Sequence, residues 1–180
     1  MTDIRDAHPT DQTAYTHRLL RPADGVALMR LRHQAIQECP WNFGTPPGIE
    51  LAKGSGYYRR QILHYKLKGT AAIMGIWREN HLFGIAGLRI KRPSDNGLIF
   101  SMYVQPAHRG NGHGRCLLEQ ARLYLQEQFH TACCRMNVEV NNTAALRLYE
   151  SCGFHIRDRE NAAFRIHGQA YDVYLLEWRE

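Results

Sequence analysis

Long apolar runs are missing from this 180-residue sequence: nowhere do about 18 consecutive apolar residues occur, so no segment reads as a membrane-spanning helix. The opening residues Met1-Thr2-Asp3-Ile4-Arg5-Asp6 are polar where a secretory signal would carry an apolar centre. There is no C-x-x-C pair, no H-x-x-x-H and no H-E-x-x-H, so the ten histidines and five cysteines give no metal-ligand spacing. The cysteines (Cys39, Cys116, Cys133, Cys134, Cys152) are odd in number and include an adjacent pair, which suits reduced thiols better than a disulfide framework. Cys116 and Cys152 fall near the motifs described below, at helical positions that suit packing. A dense basic run is also lacking. The net charge of +6 is spread along the chain, which fits a small polyanionic ligand as well as it fits nucleic acid and supplies no nucleic-acid motif. The expectation is a soluble, cytoplasmic protein with no metal and neither a membrane nor a nucleic acid as partner.

What is present is enough for one compact domain. At 180 residues and 44% hydrophobic composition a single core can form, and two domains are not required. Residues 1–16 are polar and read as a flexible tail, with the domain spanning 17–180. Residues 17–22 read as a first strand stopped by Pro22, with Asp24 as N-cap of a helix carrying Leu28, Leu31 and Ala35. Residues 40–48, rich in proline and glycine, read as a loop, and a second helix follows around Tyr58, Ile62 and Tyr65. Three apolar runs at 71–77, 82–90 and 98–104 read as consecutive antiparallel strands. Leu117, Leu118, Ala121, Tyr124 and Leu125 then mark one face of an amphipathic helix. A strand at 133–140, a helix at 143–152 ended by Gly153, and a hairpin turning at His167-Gly168 complete the chain. That order predicts a mixed α/β fold, a central and mostly antiparallel sheet with helices on both faces.

Chemistry is concentrated where the third of these strands runs into a helix: Met102-Tyr103-Val104-Gln105-Pro106-Ala107-His108-Arg109-Gly110-Asn111-Gly112-His113-Gly114. Glycines here let the backbone turn its N–H groups inward, and a helix start adds unpaired donors and a positive dipole end, which together hold phosphate. The nucleotide P-loop needs Gly-Lys-Ser/Thr, but His113-Gly114-Arg115 stands in that place. The dinucleotide fingerprint needs an early βαβ unit, but this loop follows three antiparallel strands. A plain turn is the alternative.

The pattern Val104-x-Pro106-x-x-Arg109-Gly110-x-Gly112-x-Gly114 resembles the cofactor motif R/Q-x-x-G-x-G/A of the GNAT acetyltransferase superfamily. Downstream, Asn142-x-x-Ala145-x-x-Leu148-Tyr149-Glu150-x-x-Gly153-Phe154 is similar to a second motif of that superfamily, in the right order and on the expected element. The resemblance covers roughly residues 70–178, and the first two helices by order alone. It implies a single-domain fold whose strands 98–104 and 133–140 splay apart to admit the pantetheine arm of acetyl-CoA. The backbone of Met102, Tyr103 and Val104 would pair with that arm. The amides of Arg109, Gly110, Asn111, Gly112, His113 and Gly114 would hold the pyrophosphate. Asn142 would contact the cofactor, although its residue type equally suits a helix N-cap.

The implied activity is transfer of an acetyl group from acetyl-CoA to a primary amine within a ternary complex. Tyr149 matches the family position of the general acid toward the coenzyme A sulfur; its helical spacing with Ala145 and Cys152 suits a core aromatic as well. With ordinary values near 10 for tyrosine and 8.5 for a thiol, full proton transfer is uphill by roughly 2 kcal/mol. The strand 97–104 carries no carboxylate to act as base, so Glu139 on the neighbouring strand is the candidate, directly or through water; His108 and His113 are alternatives in the loop. The acceptor, a small molecule or a protein N-terminus or lysine, would be shaped by residues 38–69, with Trp41, Phe43, Tyr57 and Tyr58 as aromatic walls, and by the last hairpin. A homodimer is compatible with the family, and a non-catalytic acyl-CoA-binding module of the same fold is the competing reading.

Overall fold

The computed structural model describes residues 15–91 and 96–180. The expected tail falls largely on residues 1–14, and part of the connection between the expected strands 82–90 and 98–104 on 92–95, both outside the described residues. The first strand, β1 (Tyr15–Leu19), takes in Tyr15 and Thr16. Helix α1 (Gly25–Glu38) follows a 3-10 turn at Pro22–Asp24. Asp24 occupies the N-cap position, but its carboxylate does not cap. It accepts from both Arg18 guanidinium nitrogens at 2.7 and 2.9 Å and from the Arg21 amide at 2.7 Å, fastening β1 to the start of α1.

The segment expected to be one loop holds two ordered pieces. A 3-10 turn forms at Pro40–Asn42, and a short helix α2 (Pro47–Leu51) begins at the second of two prolines, where fixed φ and the missing N–H suit a helix start. Helix α3 (Ser55–Lys68) ends at Gly69, whose φ of 63° gives a left-handed C-cap.

The strands β2 (Ala71–Arg78), β3 (His81–Lys91) and β4 (Asn96–Val104) form the expected antiparallel run. After helix α4 (His113–Phe129) come β5 (Cys133–Glu139), helix α5 (Thr143–Ser151), β6 (His155–Ile166) and β7 (Gln169–Arg179). His167 and Gly168 both have positive φ, 49° and 82°, the signature of a tight two-residue hairpin. The seven strands lie in one sheet in the order β1-β2-β3-β4-β5-β7-β6, antiparallel except for β4 beside β5.

Two apolar cores sandwich this sheet. On one face α1 and α3 pack Leu28, Leu31, Tyr58 and Ile62 against Trp77, Ile85 and Tyr103. On the other, Leu117, Leu118, Ala121 and Leu125 of α4 and Tyr149 of α5 pack against Phe83, Leu88, Ile99, Met136 and Leu176. Helices therefore cover both faces, as the sequence order predicts. Among the described residues no helix is long and apolar enough to cross a membrane.

Candidate active site

The parallel pair β4–β5 is joined at only two positions, Gly97 with Cys134 and Leu98 with Arg135. Beyond them the strands part. The cause lies on the other side of β4: opposite β3, Phe100 pairs with Gly87 and Tyr103 with Ile85, so Ser101 and Met102 share the single residue Ala86. That bulge, with Ser101 at φ 51°, bends β4, while β5 keeps full register with β7 from Cys133 to Glu139. The result is a cleft of about 920 Å³ that runs through the sheet between β4 and β5. Gln105 donates its amide to Phe83 on β3, so by strand alternation Met102 and Val104 turn their N–H groups to the open edge.

At one end the cleft meets the glycine loop. Gly110 (φ 79°) and Gly112 (φ 78°) both require the left-handed region, and Gly112 is the N-cap of α4. Among the described residues, neighbours in the chain aside, no atom lies within 4 Å of where a side chain on either would begin, so the space beside them is open. Gly114 serves differently: a Cβ there would sit 3.1 Å from Leu148, so this glycine lets α4 approach α5. The first-turn amides of α4 have no intrahelical acceptor and stand as open donors.

Arg109 departs from expectation. Its amide is spent on Pro106 O at 3.1 Å, and its side chain turns back, Nε to Val104 O at 2.8 Å and Nη1 to Glu38 at 2.7 Å. The amides left open in the loop are those after it. The side chains of Asn111 and His113 do not line the cleft. His113 packs instead against Tyr15 at 4.3 Å, beside Phe83 and His108, and burial lowers its pKa. His108 stacks on Phe83, also with a lowered pKa, so neither histidine is placed as a base in the cleft.

Asn142 caps α5, its Oδ1 accepting from Ala145 N at 3.2 Å, and lines the cleft as well. Its Nδ2 is given to Asn42 at 2.9 Å. Tyr149 is 7% exposed and lines the same cleft while packing in the core. Burial without a charged neighbour pushes its hydroxyl up to about 12.

The other end of the cleft opens beneath the segment 39–44. Trp41 and Phe43 line it, as expected, but Tyr57 and Tyr58 do not. Tyr58 is a core residue, 1% exposed, whose hydroxyl donates to the buried Glu50 at 2.9 Å. Glu139 is 7% exposed and lines the cleft; Asn141 Nδ2 donates to it at 2.8 Å, and no ion pair with it forms among the described residues. Sequence reasoning missed Glu160. Glu139 and Glu160 both pair with Val173, so the three point to one sheet face, the carboxylates flanking Val173 with their Cα atoms about 10 Å apart. Phe164, also missed, lies on the same wall and reaches Gly44 across the cleft. Only strand register brings these residues together, and no local motif announces them. Cys39 lines the cleft too, but burial and the neighbouring Glu38 push its thiol up, which disfavours it as a nucleophile. Among the described residues no group of His, Cys, Asp and Glu comes together to hold a metal.

A strand edge freed by a bulge leads to open amides at a helix start, an arrangement suited to an extended ligand that carries phosphate. The sequence matches the acetyltransferase (GNAT) family over residues 33–154, more than half of the chain, and the protein belongs to that family. A spermidine N(1)-acetyltransferase from Vibrio cholerae is 32% identical over 81 residues, 43% of this chain and 47% of that protein, so the match spans about half the length of this curated relative. Among solved structures, yncA of Salmonella typhimurium with its cofactor acetyl-CoA superposes with a TM-score of 0.79 at 20% identity, covering 92% of this chain and 94% of that one. Spermidine N-acetyltransferase of Vibrio cholerae in complex with CoA and spermine gives 0.77 at 19% identity, covering 92% and 95%. Ribosomal-protein-alanine N-acetyltransferase of Brucella melitensis gives 0.80 at 20%, covering 92% and 99%. At these identities the likeness is one of fold.

Proposed function

We propose that this protein transfers the acetyl group of acetyl-CoA to a primary amine that carries positive charge. The observation that carries the reading is a single cleft with an anion-holding loop at one end and, at the other, a buried carboxylate, Glu139, without a cationic partner among the described residues. A buried carboxylate is costly unless a cation meets it. The acceptor ammonium is that cation. Glu160 extends the negative wall, and the aromatic rings of Trp41, Phe43 and Phe164 suit a cation with an apolar body. Spermidine, named for the Vibrio relative, is an amine of this kind.

The residues fit the carrier. Bound acetyl-CoA supplies an activated acyl thioester. The amides of 110–115, at the positive end of α4, would hold its pyrophosphate, and Met102 and Val104 present N–H donors along the open edge of β4. Val104 N–H is then a fixed donor for negative charge developing on the acyl oxygen. Glu139 takes the proton that the ammonium must lose, directly or through water. Tyr149 keeps its own proton: with its hydroxyl near 12 and a thiol near 8.5, full transfer is uphill by ~3.5 units, about 5 kcal/mol. Its role is a hydrogen bond to the departing sulfur. The five cysteine thiols are free, in keeping with a cytoplasmic enzyme.

A panel of amines assayed for acetyl-CoA-dependent thiol release tests the reading. Cationic diamines and polyamines should be acetylated in preference to neutral-bodied monoamines and amino acids, and Glu139→Gln should lower kcat/KM for them about 10²-fold. A preference for anionic acceptors, or an unimpaired Glu139→Gln, contradicts it.

A further inference from the structure

Two of the residues expected to touch the cofactor, Arg109 and Asn142, each extend a side chain the other way, toward the cover of the acceptor end. Arg109 Nη1 meets one carboxylate oxygen of Glu38 at 2.7 Å, and Tyr103 on β4 donates its hydroxyl to the other oxygen at 2.7 Å. Burial alone would raise the Glu38 pKa, but these two donors outweigh it and hold the carboxyl below its ordinary value, so it stays charged. Glu38 is the last residue of α1, and the segment 39–44 that lines the acceptor end begins with the next residue. In the middle of that segment, Asn42 Oδ1 accepts from Asn142 Nδ2 at 2.9 Å, while Asn142 Oδ1 remains on Ala145 N. Within the segment, Asn42 N bonds Cys39 O at 3.0 Å and Phe43 N bonds Pro40 O at 3.2 Å, so it is closed on itself as one turn.

We infer that Glu38 and Asn42 are positioning residues that couple the glycine loop and the α5 cap to the segment 39–44, so that filling the cofactor end orders the cover carrying Trp41 and Phe43. The inference rests on the cofactor reading of 110–115. An anion held by those amides immobilises the loop that begins at Arg109. Arg109 in turn fixes Glu38, and the end of α1 with it. A site ordered by a first ligand costs the second ligand less conformational entropy.

Hydrogen–deuterium exchange with CoA as the probe separates the two readings. In the parent protein CoA should slow exchange both at 110–116 and at 39–44, the latter by about 5-fold or more. In the double variant Glu38→Gln, Asn42→Ala the slowing at 110–116 should persist while 39–44 exchanges as in the free protein. Glu38→Gln keeps the side-chain length but removes the charge opposite Arg109, and Asn42→Ala leaves the α5 cap bond intact. If the double variant does not fold, Asn42→Ala alone should still cut the slowing at 39–44 about 3-fold. Undiminished slowing at 39–44 in the variants overturns the coupling, as does slowing at 110–116 alone in the parent. No slowing at 110–116 in the parent defeats the cofactor reading and the coupling with it.

Discussion

In Tyr149 packing meets the proposed chemistry, and one oxygen separates them. The side chain is part of the core around α4 and α5, and the residue also lines the cleft. Because burial moves the hydroxyl up to about 12, it keeps its proton at neutral pH and is suited to donate a hydrogen bond rather than a proton. Tyr149→Phe keeps the ring and its contacts, so its melting temperature should stay near that of the parent. Turnover should fall about 10²-fold, since the departing thiolate loses its donor. Steady-state kinetics beside a thermal melt reads both; parental turnover would return Tyr149 to a purely structural role.

The loop 109–114 shows how one element assigns three glycines different tasks. Gly110 and Gly112 supply positive φ beside open space, and Gly114 supplies close helix packing. Gly112→Val should therefore cost about 1–3 kcal/mol in stability through φ alone, while acetyl-CoA binding is lost because the side chain projects into the open space before α4. Calorimetric titration checks this, and binding at parental affinity would reduce the loop to a turn. This element was legible in the sequence because its information is local: glycine spacing, the proline before it and the apolar face of α4 follow one another in the chain. The same holds for α5 and its Asn142 cap. The acceptor end was only half legible. Trp41 and Phe43 stood out as aromatics in a turn-rich stretch, but Tyr58, next to them in character, went to the core because α3 turns it toward Glu50. Glu160 and Phe164 reach the cleft through the register of β6 on β7 and a bulge between Glu160 and Phe164, which no sequence period foretells. The second role of Arg109 depends on a contact with Glu38 that only the folded chain makes.

At the scale of the molecule, the sheet joins the cleft to a cluster of histidines behind the glycine loop. His17, His108 and His113 gather with His81, Arg78, Tyr15 and Phe83, and burial lowers the pKa of the first three, with the neighbouring histidines adding to the effect on His17 and His108. For a base whose folded pKa lies below its unfolded value of about 6.5, stability is complete above that value and is lost as pH falls through the lower one. Melting temperature should therefore drop between about pH 7 and 5, and His113→Phe, which keeps the aromatic contacts, should flatten the slope. Glu177, held down at about 2 first by Arg179 and then by Arg135, loses its contribution as pH falls below the ordinary 4.5 toward 2, beneath that window. An unchanged slope in the variant would remove His113 from the account. Acetyl transfer within one cleft is tested most directly by joint detection of thiol release and acetylated product. Purified protein, acetyl-CoA and a cationic polyamine should yield free CoA and monoacetylated amine in equal amounts, with no acetyl group left on the protein. Bound acetyl-CoA that releases no thiol with any amine, or an acetylated protein in place of an acetylated amine, would contradict it.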